Sequence, residues 1–173
     1  HVATAPEVCQ SITGRQIVSV DGSGGTKHHV RLLTYLAGKP LARVKPHSPD
    51  LLTDLGRFFG SLDCILADFD HPAAHQDFHW DLKHASQVIH RHIGLVKDPV
   101  KHDLIEHYQK RFQTQSEPLL AGLDKSVIHN DANDYNVLVE PEGRWRNTVA
   151  GVIDFGDMVY TRIVNEAAIA CAY

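Results

Sequence analysis

The 173-residue sequence predicts an α+β fold, in which the remnant of a small sheet precedes a mainly helical body that carries one β-hairpin. Three observations predict it. β-branched and aromatic runs flank a Gly-rich turn near the start, apolar residues recur at helical intervals in the middle, and short β-runs return near the end. Because 43% of the residues are apolar, the chain can bury a sizeable core.

The first predicted element is a hairpin. Residues 16–20, QIVSV, and 29–36, HVRLLTYL, are strand-like runs separated by DGSGGTK. Lys27 in this turn does not have P-loop spacing, and no helix start follows it. The segment is therefore interpreted as a plain hairpin turn.

A connector and three helices are predicted next. AGKPLARVKPHSP is rich in Gly and Pro, and Ser48 or Asp50 can cap the helical segment LLTDLGRFFGSLDCIL. HWDLKHASQVIHRHI and residues 99–115 continue the helical pattern. We expect residues 1–45 to be the remnant of the small sheet with its linker, and residues 46–173 to be the helical body.

The last third of the chain returns to short strands, at residues 126–128, 136–139 and 149–153. EPEGRWRN joins the last two into a second hairpin, and a final helix is expected from about Arg162. The loops at 129–136 and 154–160 are then the candidates for function.

Charge and hydropathy exclude several classes of protein. A net charge of -4 without a basic stripe argues against a nucleic-acid partner. There is no run of eighteen apolar residues to span a membrane, and the start lacks a signal-peptide pattern. We therefore expect a soluble, cytoplasmic protein.

Cysteine and histidine give no metal pattern. The three cysteines are far apart, so reduced thiols are expected rather than a disulfide or a thiolate zinc site. His90 with His92, and His102 with His107, lack the spacing that puts two imidazoles on one helical face.

The segments VIHNDANDYNVLV and GVIDFGD carry the residues with chemical potential. His129, Asp131 and Asn136 lie between two apolar strands, and Asp154 and Asp157 follow the strand that pairs with the second of them. Because paired strands are neighbours, Asn136 and Asp154 should lie at one sheet edge. Crowded carboxylates need a compensating cation, and oxygen ligands beside a neutral amide suit Mg²⁺.

These motifs resemble a known family. HxDxxxxN followed by IDFGD is similar to the aminoglycoside phosphotransferase and choline kinase group, which shares the protein-kinase fold. HWDL at 79–82 and the hinge-like LLTYLAGKPL extend the resemblance over most of the chain. The resemblance implies an N-lobe remnant, a hinge, and a C-lobe that carries the catalytic hairpin.

The resemblance also implies roles for individual residues. Asp131 would accept or orient the proton of the substrate hydroxyl, and His129 would brace the loop. Asn136 and Asp154 would bind Mg²⁺, with Asp157 supporting the site or a second metal.

The resemblance further implies ATP or GTP as phosphoryl donor, with the backbone at Tyr35 and Leu36 meeting the base. The acceptor would be a small hydroxylated amine or amino acid, because the motifs look closest to the hydroxylysine-kinase-like branch and to phosphotransferase domains fused to class III aminotransferases. Aminoglycosides, choline, ethanolamine and homoserine stay open as acceptors.

The family's Gly-rich loop and strand lysine are missing, since no lysine precedes Lys27. We therefore expect this chain to be a fragment that is inactive alone, cut from a parent with further domains. Two other functions stay open: a non-catalytic nucleotide-binding or regulatory module, and a metal-dependent hydrolase.

Two further sites are predicted to be structural. Glu166 lies in an apolar stretch and is expected to be buried and paired, with backbone amides of the catalytic loop as candidate partners. Trp80 and Asp81 are expected to pack against and cap a helix.

Overall fold

The computed structural model describes residues 4–142 and 146–173. The chain folds into two compact units, one of which extends to Phe58 and resumes over Asp134–Ile153, while the other contains Phe59–Asn133 and Asp154–Tyr173. The helices are α1 Pro49–Leu66, α2 Ala85–His92, α3 Pro99–Arg111, α4 Glu117–Leu120 and α5 Val164–Ala172. The strands are β1 Val8–Cys9, β2 Val18–Asp21, β3 Lys27–Val30, β4 Leu32–Leu33, β5 Lys39–Pro40, β6 Lys125–Ile128, β7 Val137–Glu142, β8 Arg146–Val152 and β9 Val159–Arg162.

The first unit contains the predicted hairpin. β2 and β3 pair antiparallel from Val18 opposite Val30 to Asp21 opposite Lys27, and Ser23–Gly25 form a short 3₁₀ turn between them. Gly24 and Gly25 have φ of 73° and 78°, the left-handed region that glycine adopts without a steric penalty. The hairpin turn predicted at DGSGGTK is therefore confirmed.

The prediction of a single strand over residues 29–36 is wrong. The run divides into β3 and the two-residue β4, and β4 pairs with β1 instead of β2. Tyr35 and Leu36 lie beyond the end of β4.

The second predicted hairpin is confirmed as the pair β7 and β8, with β5 added on the other side of β7. Val139, Val137 and Val152 are fully or almost fully buried in this three-stranded sheet. The predicted EPEGRWRN connection includes residues 143–145, which lie outside the described residues.

Helix α1 starts where the capping residues predicted. The Ser48 hydroxyl accepts a hydrogen bond from the Leu51 amide at 3.2 Å, which satisfies one of the free N–H groups of the first turn. In the second unit, α3 begins after Asp98, whose carboxylate accepts from the Val100 and Lys101 amides, and the chain continues through a π-helical turn at Phe112–Ser116 into α4.

The second unit contains a strand that the sequence pattern did not reveal. Residues 159–162, VYTR, form β9, which pairs antiparallel with β6, and α5 begins only after them. Val127, Ile128 and Val159 of this two-stranded sheet are completely buried. The hydroxyl of Ser126 also donates to the Leu66 carbonyl at 3.0 Å, so the sheet is fixed to the end of α1.

Within the described ranges, every helix is too short or too polar to cross a membrane.

Candidate active site

The segment after β6 is held in place by side chains of the second unit. His129 is fully buried, and its Nδ1 accepts a hydrogen bond from the Asp131 amide at 3.3 Å. That bond requires Nδ1 to be unprotonated, so the neutral ring carries its proton on Nε2. The imidazole also packs against the Phe155 ring in a T-shaped arrangement, with ring centroids 4.7 Å apart.

The carboxylate of Glu166 anchors the same segment from α5. It is completely buried and its Oε2 accepts a hydrogen bond from the Asn130 amide at 3.1 Å, as the sequence predicted. Burial raises the pKa of Glu166 to about 7, and the nearby charge of Asp63 raises it as well. Burial likewise raises the pKa of Asp63 to about 6.

Asn130 adopts the left-handed conformation, with φ of 66°. Asparagine tolerates this region better than most residues with a side chain. The turn places Asp131 next in the chain, and its Oδ1 accepts a hydrogen bond from the amide Nδ2 of Asn133 at 2.7 Å. One orientation of the Asp131 carboxylate is thereby favoured.

Asp154 and Asp157 lie at the second predicted loop. Asp154 also has φ of 66° and caps the short 3₁₀ turn Phe155–Asp157, where its Oδ1 accepts from the Gly156 amide at 3.4 Å. Burial raises the pKa of Asp157, and the negative charges of Asp131 and Asp154 raise it further. The second unit therefore brings Asp157 close enough to Asp131 and to Asp154 for their charges to act on it.

The remaining predicted site residues belong to the first unit. Asn136 immediately precedes β7, and its carbonyl accepts from the amide of Ile153, the residue before Asp154 in sequence. Leu36 lies beside Gly151, where a Cβ atom would come within 2.7 Å of the leucine Cδ2. Tyr35 is exposed.

The donor chemistry of the site suits Mg²⁺. Asp154 and Asp157 offer only carboxylate oxygens, and the electrostatic repulsion that Asp157 experiences from Asp154 and Asp131 is the kind that a divalent cation relieves. By their chemistry, Asp154 and Asp157 are thus suitable residues to hold the ion. The role predicted for Asn136, which lies in the first unit, stays a prediction.

A cavity of about 420 Å³ opens beside Asp131 and Asp157. Trp80, Leu82 and Asn130 also line it, together with small and apolar residues of α5. Trp80 is 67% exposed, and its ring centroid lies 4.9 Å from that of His79. The cavity is large enough for a molecule of amino-acid size.

Asp81 has the structural role that the sequence predicted. Its Oδ1 accepts from the Lys83 amide at 3.0 Å, which caps the 3₁₀ turn Leu82–His84, and from the Thr161 hydroxyl at 2.9 Å. Asn165 of α5 donates to the same hydroxyl at 3.4 Å. This buried network joins the turn below Trp80 to β9 and α5, and so fixes two walls of the cavity.

One cluster of potential ligands on α3 was not predicted from the sequence. Ligand atoms of His102, Asp103 and Glu106 all lie within 4.8 Å of one another. The four-residue spacing of His102 and Glu106 could have revealed it. Both acids are exposed, and such surface groups are common without an ion.

The described elements form a protein-kinase-like architecture of small sheets and helices. Solved structures agree on the fold: a microcompartment-associated aminopropanol kinase superposes with a TM-score of 0.66 at 23% identity, covering 97% of this chain and 52% of that one. The GDP complex of wild-type aminoglycoside 2'-phosphotransferase-IIIa gives a TM-score of 0.64 at 17% identity, covering 98% and 55%.

The sequence comparison is more specific. The family described as APH, phosphotransferase enzyme family, matches residues 1–173, and the chain belongs to this family. It is 32% identical to hydroxylysine kinase of Mus musculus over 166 residues, 91% of this chain and 44% of that protein. It is 35% identical to the enzyme of Xenopus laevis over 162 residues, 88% and 43%. The chain thus spans less than half the length of these relatives.

Proposed function

We propose that the protein transfers the γ-phosphoryl group of ATP or GTP to a hydroxyl of a small amine or amino acid related to hydroxylysine. The observation that carries the proposal is the position of Asp157, which feels the charges of both Asp131 and Asp154 and lines the 420 Å³ cavity together with Asp131. Family membership and the hydroxylysine kinase relatives support the same reaction.

In this proposal Asp131 is the base. Its carboxylate, oriented by Asn133, accepts the proton of the acceptor hydroxyl as the oxygen attacks phosphorus. His129 keeps the loop in position through its bond to the Asp131 amide. Phosphoryl transfer depends mainly on positioning and on neutralising charge, which is what these contacts provide.

Asn136, Asp154 and Asp157 would hold the metal, and Mg²⁺ when bound would neutralise the charge of the β- and γ-phosphates. The backbone at Tyr35 and Leu36 would meet the nucleotide base. The acceptor class rests on two kinds of relative, the hydroxylysine kinases and the aminopropanol kinase, because both named compounds carry an amine and a hydroxyl. Since the hydroxylysine kinases are more than twice as long as this chain, we propose that the 173 residues alone do not turn over.

A screen of the full-length protein tests the proposal. The protein would be given ATP or GTP, with and without Mg²⁺, and one acceptor at a time: hydroxylysine, aminopropanol, ethanolamine, choline, homoserine or kanamycin. Phosphorylated product would be measured by mass spectrometry. We expect Mg²⁺-dependent product with at least one hydroxylated amine. Metal-independent nucleotide binding without product from any acceptor would instead favour a regulatory module.

A further inference from the structure

A buried carboxylate beside the cavity makes more contacts than a helix cap requires. Asp81 is 1% exposed, and its Oδ1 accepts from the Lys83 amide and from the Thr161 hydroxyl, while the Lys83 Nζ lies 3.1 Å from its Oδ2. A cap needs only the bond to a backbone amide, and the exposed Asp98 provides such bonds at the start of α3. Because a buried charge disfavours folding unless it is compensated, the burial of Asp81 needs a reason beyond capping.

The bond to Thr161 connects two parts of the second unit that lie far apart in the sequence. Thr161 belongs to β9, and its hydroxyl oxygen also accepts from the Nδ2 of Asn165 in the first turn of α5, at 3.4 Å. Asp81 lies between Trp80 and Leu82 in the sequence, and both of these neighbours line the 420 Å³ cavity. The contacts therefore run from this wall of the cavity to the start of α5.

The start of α5 also holds the loop that carries the proposed base. Glu166 follows Asn165 in the sequence, and its carboxylate accepts from the amide of Asn130, the residue before Asp131. Two successive side chains of α5 thus make contacts in two directions, one toward the cavity wall and the other toward the base. Both the wall and the base are tied to a single helix turn.

We infer that Asp81 is a positioning residue for the phosphoryl acceptor and that it acts through Thr161. The bond between the two side chains keeps the wall formed by Trp80 and Leu82 in a fixed position relative to Asp131. An acceptor bound against this wall then presents its hydroxyl to the base. A displacement of about 1 Å can lower a rate about 100-fold even when the substituted residue is remote from the chemistry. The inference rests on the proposed function and adds how the cavity is aligned with the base.

Three substitutions in the full-length protein test the inference, with the acceptor found by screening. Thr161→Val keeps the shape of the side chain and removes the hydroxyl, whereas Thr161→Ser keeps the hydroxyl. We expect Thr161→Val and Asp81→Ala to lower kcat/KM for the acceptor about 10- to 100-fold per folded molecule, and to leave the KM for the nucleotide unchanged. Thr161→Ser should retain most of the wild-type value.

Asp98→Ala is the matched control, because it removes an aspartate cap from α3 that does not line the cavity. It should lower the free energy of unfolding without changing either kinetic constant per folded molecule. The folded fraction of every variant is measured by circular dichroism under the assay conditions, so that a loss of folded protein is not counted as a loss of rate.

Each outcome decides the question. If acceptor kcat/KM per folded molecule were unchanged in Thr161→Val, the network would serve stability alone and the inference would be wrong. An equal loss in Thr161→Ser, or an equal rise in the KM for the nucleotide, would also overturn it, since the hydroxyl would not be the group that matters or the whole site would be disturbed. If Asp81→Ala does not fold, the two Thr161 variants decide. The absence of wild-type product with any acceptor would instead reject the proposed function, and the inference with it.

Discussion

Two strand pairs of this protein have the same length and opposite environments. β2 with β3, and β6 with β9, are both antiparallel pairs of four residues in continuous register. Seven of the eight residues in β2 and β3 are exposed, whereas β6 and β9 bury Ser126, Val127, Ile128, Val159 and Thr161. Strand pairing alone therefore does not mark a functional region.

The chain segments that join the two strands of each pair also differ. A five-residue glycine-rich turn joins β2 to β3, while the chain between β6 and β9 carries His129, Asp131, Asp154 and Asp157. Catalytic side chains must be held in fixed positions, and loops that leave a buried strand can provide this rigidity. The difference suggests that β6 and β9 support chemistry and that β2 and β3 tolerate change.

The largest expected effect is on catalysis. Asp131→Asn removes the proposed base and should lower kcat about 10²- to 10⁴-fold in the full-length protein, the range for losing such a group. Asp21→Asn, on exposed β2, is the matched substitution and should keep the full rate. A steady-state assay with the acceptor found by screening measures both, and an Asp131→Asn variant with wild-type kcat would reject the assignment.

The second prediction concerns pH. Because the pKa of Glu166 is raised from 4.5 to about 7 in the folded protein, folding takes up a proton between these values. The associated stability is fully present below pH 4.5 and is lost as the pH rises through 7. This contribution of Glu166 to the free energy of unfolding amounts to about 3 kcal/mol.

Glu166→Gln stays neutral and can still accept the Asn130 amide bond, so its stability relative to wild type should increase as the pH is raised from about 5 to about 8. Urea unfolding of both proteins at several pH values measures this difference. Asp21→Asn is the control for removing a carboxylate from an exposed strand. If the free energy of unfolding of Glu166→Gln changed with pH in parallel with that of wild type, Glu166 would not titrate in this range.

The third prediction compares the strands directly. Val127 is 0% exposed and Val20 is 44% exposed, so truncation to alanine removes buried methyl groups only at position 127. Val127→Ala should lower the free energy of unfolding by about 2 kcal/mol, and Val20→Ala by less than about 0.5 kcal/mol. If denaturant unfolding gave equal losses of unfolding free energy for the two variants, β2 would be buried by another part of the full-length protein.

Local patterns revealed most of the elements but not all of their partners. α1, the glycine-rich hairpin and the pair β7 with β8 each have their signal within a short stretch of sequence, and all were predicted. β9 was missed because VYTR is short and its partner β6 lies far earlier in the chain. The division of residues 29–36 also depends on a distant strand, β1.

The sequence also predicted the site only as far as local patterns allow. The motifs located Asp131, Asp154 and Asp157, because residue type and spacing carry that information. The burial of the Asn130 carboxamide was not predictable, since the sequence does not show which polar side chain of the loop is enclosed without a partner in the described part of the chain. The exposure of Trp80 was equally unpredictable, because an aromatic residue beside a helix cap usually packs inward.

The smallest expected effect concerns the turn of the exposed pair. Gly25 has φ of 78°, and a Cβ atom added there would meet no heavy atom within 4 Å, so Gly25→Ala should cost about 1 kcal/mol through backbone strain alone. Gly56, on the exposed face of α1, has equally open space and no positive φ, and Gly56→Ala should stabilise the protein by about 0.5–1 kcal/mol.

Amide hydrogen exchange in β2 and β3 should become faster only in Gly25→Ala, because strain in an exposed hairpin is released by local opening. If Gly25→Ala also made the amides of β6 and β9 exchange faster, the two strand pairs would not be independent. The contrast between them would then be wrong.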